Sequence, residues 1–173
     1  LASMTGFGVL ALSPTAALSA GDPLHDGLSE ATAAASCWEI KQNNPNSADG
    51  TYWLQTPAMD APAQFFCDQT TDGGGWVLIG RGREGWEGWS GGKGDTSKLT
   101  TRVRNTDAFD VVQYSNATVN QLLNNENGKD QADGVRVLRS WSASGRSYQT
   151  VDLKFTKMTD FVWPFKMAHP VHV

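Results

Sequence analysis

Short apolar runs alternate with polar, glycine-rich turns along this chain, and the clearest pair of runs lies within residues 65–81. Phe65–Cys67 forms the first run and Trp76–Ile79 the second, with a polar stretch and Gly73–Gly75 between them. The second run is apolar on both alternating faces, which predicts a strand covered on both sides. The glycines can adopt positive φ or let the backbone approach a neighbour closely. We therefore expect folding to be organised around a strand–turn–strand unit here.

The residues upstream of this unit predict a helix and two more strands. Ser36 is an N-cap candidate, and Glu39 follows three residues later as in a capping box. The helix that starts there is expected to be short and to be ended by the Asn43-Asn44-Pro45-Asn46 stretch. The strands of a three-stranded antiparallel meander are predicted at Thr51–Gln55, Gln64–Cys67 and Trp76–Arg81.

Downstream of residue 81 the pattern is weaker. Residues 82–95 are rich in glycine, tryptophan and charge without periodicity, which predicts a long loop. Residues 116–126 predict a short helix capped near Thr118. The remaining strands are expected at 135–139 and 148–155, paired as a hairpin, and at 161–163.

The first 20 residues are small and apolar, as in the hydrophobic region of a secretory signal peptide. Because a basic leader and an initial Met are lacking, and no closing element precedes Val173, we expect a signal-peptide remnant at 1–20 and truncation at both ends. A buried helix or a membrane anchor is the alternative, although the run is short for a membrane span. Residues 21–35 are expected to be a linker, and residues 36–173 the folded domain.

Composition narrows the class of protein. A chain of 173 residues with 39% hydrophobic residues, 18 glycines and 7 tryptophans suits one loop-rich globular domain. The net charge of −4 argues against a general nucleic-acid binder. Cys37 and Cys67 lack the nearby histidines that a zinc site needs, and in a secreted chain they would form one disulfide joining the helix to the middle strand.

Three short motifs occur in a fixed order within residues 36–83. They are Ser36-Cys37-Trp38-Glu39-Ile40-Lys41, then Asp49-Gly50-Thr51-Tyr52-Trp53-Leu54, then a fold signature of Cys67 with Asp68, Asp72, Gly73, Gly74, Gly75 and Trp76. Together they resemble the N-terminal part of fibrinogen-like domains, including intelectin-type lectins and bacterial secreted proteins with the same signature. The resemblance implies a fibrinogen-like α+β fold with a small antiparallel sheet, whose first disulfide maps onto Cys37 and Cys67.

The resemblance also has limits. The family's second disulfide has no cysteines in this chain, and no acidic loop matching the family's calcium-binding half precedes Val173. The fold of the family therefore transfers to this chain, whereas its ligand site does not. Calcium remains a candidate cofactor only because the resemblance implies it.

Catalytic and nucleotide-binding patterns are poorly matched. Residues 80–85 fit the spacing of a dinucleotide-binding glycine pattern, but the glycine- and tryptophan-rich residues that follow cannot form the helix that would hold a pyrophosphate. No nucleophile elbow or metalloprotease helix is present in the sequence. We therefore predict a protein that is not an enzyme.

The candidate ligand-binding residues lie in the loop after residue 81. Trp86 and Trp89 could pack against the C–H faces of a sugar while Glu87 accepts hydrogen bonds from its hydroxyls. Asp95, a weak candidate, could ligate calcium through oxygen. The other interpretation is that both tryptophans fill the core, as most tryptophan side chains largely do.

These observations predict a secreted, non-catalytic recognition module, lectin-like in binding glycan and with calcium implied by the resemblance. The alternatives are a protein–protein adhesion module without a sugar site and the N-terminal adapter of a larger secreted enzyme. The expected partners are extracellular glycans or proteins, with no nucleic acid and no membrane span in the mature chain.

Overall fold

A computed structural model describes residues 24–82, 87–101, 111–127, 133–140, 148–154 and 159–163. Within these ranges the chain has two α-helices and three small antiparallel sheets, which confirms the predicted α+β class. The predicted signal-peptide remnant and Trp86 lie outside the described residues. Neither helix in the described ranges has the length and apolar character needed to cross a bilayer.

The described elements follow one another in a simple order. The helices are α1 (Cys37–Asn43) and α2 (Asn116–Leu122). The strands are β1 (Gly50–Leu54), β2 (Ala63–Asp68), β3 (Trp76–Val77), β4 (Gly80–Arg81), β5 (Val112–Gln113), β6 (Val135–Ser140) and β7 (Tyr148–Leu153). They pair as β1-β2-β3, β4-β5 and β6-β7, and every pairing is antiparallel.

The predicted meander is confirmed, with β2 in the middle, but its third strand is shorter than expected. Trp76–Arg81 does not form one strand, because the chain passes there from one sheet to another. Leu78 N donates to Phe66 O of β2 (3.0 Å), whereas Ile79 O accepts from Tyr114 N (3.1 Å) beside β5. Both side chains in the crossover are half-buried, so the run is less covered than its apolar pattern predicts.

Helix α1 begins where its cap predicts. Ser36 Oγ accepts a hydrogen bond from Glu39 N (3.0 Å), while the Glu39 carboxylate accepts from Ala35 N (2.6 Å) rather than from the cap residue itself. The disulfide between Cys37 and Cys67 joins α1 to β2, with both cysteines buried and their Cα atoms 5.5 Å apart. The predicted link between the helix and the middle strand is therefore present.

The described part of the predicted linker is packed against the sheet. Ala34 is fully buried and donates its N–H to Trp53 O (3.1 Å), and Trp53 N donates to Gly27 O (2.8 Å). A side chain at Gly27, where φ is +68°, would lie 2.7 Å from the Ile40 side chain. The packed structure therefore begins upstream of Ser36.

In the second half, α2 and the β6–β7 hairpin are confirmed, with two corrections. The cap of α2 is Ser115, whose Oγ accepts from Thr118 N (3.1 Å), so Thr118 lies inside the first turn. Residues 161–163 form no strand. Their backbone donates instead to the side chains of α2, from Phe161 N to Asn120 Oδ1 (2.7 Å) and from Trp163 N to Asn116 Oδ1 (3.1 Å).

One continuous core joins these elements. Residues from α1, the meander, β5, α2 and the 161–163 segment contribute to it, and the largest fully buried apolar side chains are Phe161, Ile40, Leu54, Leu99 and Val112. The Phe161 and Trp163 rings are both buried, so packing in the core holds the short 161–163 segment without strand pairing.

Candidate functional site

The fold signature forms a hydrogen-bonded turn after β2. Asp68 Oδ1 accepts from Thr70 N (3.2 Å) and Thr71 N (2.9 Å), so its carboxylate closes the turn as aspartate commonly does. The three glycines that follow all have φ between +81° and +85°. A side chain at Gly74 would overlap the backbone carbonyl of Gln69, and one at Gly75 would lie 2.7 Å from the Trp38 ring. The glycines therefore serve turn geometry and close packing, as the sequence predicts.

A buried glutamine inside this turn connects helix and sheet. Gln69 has no exposed surface, and its amide donates to Cys37 O (2.9 Å) and accepts from Gly75 N (3.1 Å). Its own backbone N–H donates to Asp49 Oδ1 (2.7 Å). Each of these buried polar groups is thus paired, which is what low dielectric surroundings require.

Asp72 and Trp76 of the signature contact the β6–β7 hairpin through Arg136. The Arg136 guanidinium lies 4.2 Å above the Trp76 ring centroid and 2.6 Å from Asp72 Oδ2. It also binds Asp152 in a bidentate manner, at 2.8 and 3.0 Å, which lowers the pKa of that carboxyl group. Trp76 is half-buried and not part of the fully buried core. Asp72 and Trp76 therefore stabilise the domain through contacts with the hairpin.

A polar cleft lies on another part of the surface, between β2, the 3-10 turn at Thr96–Thr100 and the start of α2, with a volume of about 590 Å³. Its polar lining includes Gln64, Thr96, Ser97, Thr100, Ser115 and Thr118. The amide of Gln64 and the hydroxyl of Thr96 have no hydrogen-bond partner among the described residues. Phe65 and Tyr114 also line the cleft, and their rings meet edge to face. Burial raises the pKa of Tyr114 to about 12, so its phenol is neutral at physiological pH.

Two glycines hold Lys93 at the edge of the polar cleft. The backbone of Lys93 exchanges two hydrogen bonds with Gln113, at 3.0 and 2.9 Å. Gly92 (φ +81°) and Gly94 (φ +72°) flank it, and a side chain at either position would meet the backbone beside β5 within 3 Å. The backbone of the Gly-Lys-Gly segment is therefore hydrogen-bonded and closely packed against β5, and the lysine side chain extends from this backbone.

Of the predicted ligand-binding residues in the described ranges, Trp89 lies beside the polar cleft and Glu87 does not line it. Lys93 Nζ lies 3.6 Å from the Trp89 ring centroid, and Trp89 O accepts from Gln113 Nε2 (2.8 Å), so Trp89 supports the edge of the cleft through Lys93. The Trp89 ring is half-buried, and it is neither a core residue nor part of the cleft lining. Glu87 is exposed and does not line the cleft.

Asp95 has a structural partner rather than a metal-binding neighbour. Its Oδ1 accepts from Ser97 N (3.1 Å) and Ser97 Oγ (2.7 Å), capping the 3-10 turn, and these bonds lower the pKa of its carboxyl group. Across the described ranges, no three His, Cys, Asp or Glu side chains come together in a way that could hold a metal ion. Calcium therefore remains a prediction that rests on the family resemblance.

An apolar groove of about 680 Å³ lies between α1, the β3–β4 crossover, α2 and β6. Its floor is built from half-buried apolar side chains, namely Val77, Leu78, Ile79, Leu122 and Val135. Trp38 lines it with 54% of its surface exposed. The charged residues of its lining include Glu126 and Asp133, and also Arg136, which is already paired with two aspartates.

Sequence reasoning missed the residues that line the polar cleft. Gln64, Thr96 and Ser115 come from three separate parts of the chain, and each lies in an ordinary strand, turn or cap sequence. The only local signal was the Gly92-Lys93-Gly94 triplet, since glycine permits positive φ and a close approach to a neighbouring backbone. Its position at the cleft depends on pairing with Gln113, which the sequence pattern does not indicate.

Comparison with known proteins supports a fibrinogen-like segment. The chain is 43% identical over 49 residues to angiopoietin-4 of Mus musculus. The matched stretch covers 28% of this chain and 9% of that protein. It is 34% identical over 70 residues to tenascin-N of Homo sapiens. That matched stretch covers 36% of this chain and 5% of that protein. Tenascin-N of Mus musculus matches with the same identity over the same length. These relatives carry fibrinogen-like domains, while the likeness to intelectin-type and bacterial proteins stays a prediction.

The matches cover only a small part of each relative. The chain spans less than a tenth of the length of these curated proteins. No protein-family model matches the chain, and no solved structure matches it. The activities and partners of the relatives therefore reach this chain only as proposals.

Proposed function

We propose that this chain is a secreted, non-catalytic recognition module that binds glycan in the polar cleft. The observation that carries the proposal is the cleft lining, in which hydroxyl and amide groups from three segments surround a space of about 590 Å³. Ligand sites commonly have volumes of about 300–1,000 Å³. The cleft therefore has room for one or two sugar rings.

The chemistry of the lining suits sugar hydroxyls. A side-chain hydroxyl or amide can both donate and accept, so each can adapt to either role of a sugar hydroxyl. The side-chain groups of Gln64 and Thr96 have no hydrogen-bond partner among the described residues, so they can supply such contacts. Phe65 and Tyr114 lie beneath the cleft, but both rings are buried in the core, so the hydroxyl and amide groups of the lining make the contacts with a sugar.

Secretion is supported by the disulfide. Cys37 and Cys67 form a buried cross-link, and such bonds persist in oxidising compartments, whereas cytosolic thiols are usually kept reduced. The fibrinogen-like segment and the apolar first 20 residues of the sequence agree with this location. The proposal therefore places the module outside the cell, where glycans are abundant.

A glycan array tests this function directly, with and without a chelator to reveal any calcium dependence. We expect a defined set of glycans to bind, and Gln64→Leu to weaken that binding about tenfold, as the loss of one good hydrogen bond does. Gln42→Leu is the matched control, because Gln42 is an exposed glutamine of α1 that lines neither concave surface. An array without any bound glycan, or equal binding by the two variants, contradicts the proposal.

Protein adhesion is the second candidate function, and the apolar groove favours it. An apolar floor beside Glu126 and Asp133, with Arg136 already neutralised by two aspartates, complements a partner segment that carries apolar side chains flanked by Lys or Arg. A synthetic peptide of that design should bind the chain at low salt, and a peptide with Glu in place of each basic residue should not. Equal binding of both peptides contradicts this assignment of the groove.

A further inference from the structure

We propose that the polar cleft selects sugars that carry a carboxylate or sulfate group, with Lys93 as the residue that contacts the anion. This inference rests on the proposed function, since it concerns the ligand class of the same cleft. Lys93 is the only charged side chain among the described residues of the lining, and no Asp or Glu is among them. A single cation in a cleft without acidic neighbours favours an anionic ligand over a neutral one.

The position of Lys93 strengthens this argument. Its backbone N–H and C=O both form hydrogen bonds with Gln113, and its ammonium lies 3.6 Å from the centre of the Trp89 ring. An ammonium group has three donors, and contact with a ring face leaves donors free for an incoming anion. Contact with the Trp89 ring favours this position of the exposed lysine side chain before a ligand arrives, which reduces the conformational entropy lost on binding.

Within the described residues, the carboxylate closest to Lys93 in sequence has a partner of its own. The nearby carboxylate of Asp95 is engaged by the N–H and the hydroxyl of Ser97. Among the described residues, no carboxylate forms an ion pair with Lys93. Within the described residues Lys93 can therefore meet a ligand, whereas Arg136, which lines the apolar groove, is held by Asp72 and Asp152.

The test is an array that presents each glycan core in a neutral, a uronate and a sulfated form. We expect the two acidic forms to bind about tenfold more tightly than the neutral form, and this preference to weaken as salt is raised, because ion pairing is screened. Lys93→Gln should bind the acidic forms no more tightly than the neutral form, and Lys93→Arg should preserve the preference. Lys98→Gln is the charge-matched control, because Lys98 does not line the cleft.

The possible outcomes separate this inference from the proposed function. If neutral and acidic forms bind equally to the native chain, or if Lys93→Gln keeps the preference, the inference fails while glycan binding stands. If inorganic sulfate alone displaces the acidic glycans completely, the site binds a simple anion and the inference also fails. If no glycan binds in any form, both the inference and the proposed function are overturned.

Discussion

Gln69 shows how one buried side chain can hold several parts of this domain together. Its amide bonds at once to α1, through Cys37 O, and to the glycine turn, through Gly75 N. Replacement by leucine removes both bonds and leaves Gly75 N without the acceptor it now has. A polar group that loses its partner in the interior costs about 1–3 kcal/mol, so we expect Gln69→Leu to lower the free energy of unfolding by about 1–3 kcal/mol.

Urea denaturation measures this loss. Gln55→Leu is the control, because Gln55 is an exposed glutamine at the end of β1, and such surface changes usually stay within about 0.5 kcal/mol. A Gln69→Leu protein as stable as the control would show that the amide bonds contribute nothing.

Neighbouring glycines of the turn offer a sharper comparison at the same scale. Gly73 and Gly74 both have positive φ, but a side chain at Gly73 meets nothing within 4 Å, whereas one at Gly74 overlaps the carbonyl of Gln69. We expect Gly73→Ala to cost about 1 kcal/mol from backbone strain alone, and Gly74→Ala to cost clearly more because the backbone must shift. Thermal unfolding of the two variants in parallel checks this order, and equal losses would contradict it.

At the scale of elements, Arg136 connects the hairpin to the signature turn through two carboxylates and a ring. The guanidinium lowers the pKa of Asp152 below the ordinary value of 3.8. A depressed carboxyl pKa stabilises the folded state above the unfolded-state pKa, and that contribution is lost as the pH falls through the folded-state value. The ion pair therefore stabilises the fold at neutral pH and ceases to do so in acid below about pH 4.

The corresponding prediction uses Asp152→Asn. The melting temperature of this variant should lie below that of the native chain at pH 7, and the difference should shrink as the pH is lowered below about 4. Asp60→Asn, at an exposed position, should differ little from the native chain at either pH. A gap for Asp152→Asn that persists unchanged into acid would show that the carboxylate charge has no part in the contact.

Element-scale prediction from sequence succeeded where local signals were strong. Ser36 and Glu39 marked α1, and the apolar runs at 51–55 and 64–67 marked the two long strands of the meander. It was wrong where tertiary contacts decide, as at residues 161–163, whose apolar composition suggested a strand. Their backbone is bound by asparagine side chains of α2, and no sequence period records such a contact.

At the scale of the whole molecule, the fold was more predictable than the site. The disulfide and the glycine turn depend on residues that are rare or geometrically special, so the sequence displays them. The polar cleft is assembled from common residues that are distant in sequence, and Lys93 becomes part of it only because β5 pairs with the 92–94 segment. A site of this kind becomes visible only once the sheet pairing is known.

Amide chemical shifts test most directly whether a glycan binds in the polar cleft. The isotope-labelled chain is titrated with the glycan that binds best on the array, and shifts are recorded for both concave surfaces. We predict the largest shifts at residues 91–97 and 113–118, which border the polar cleft. Shifts confined to the apolar groove around Leu122 and Val135, with the cleft unchanged, would contradict the account.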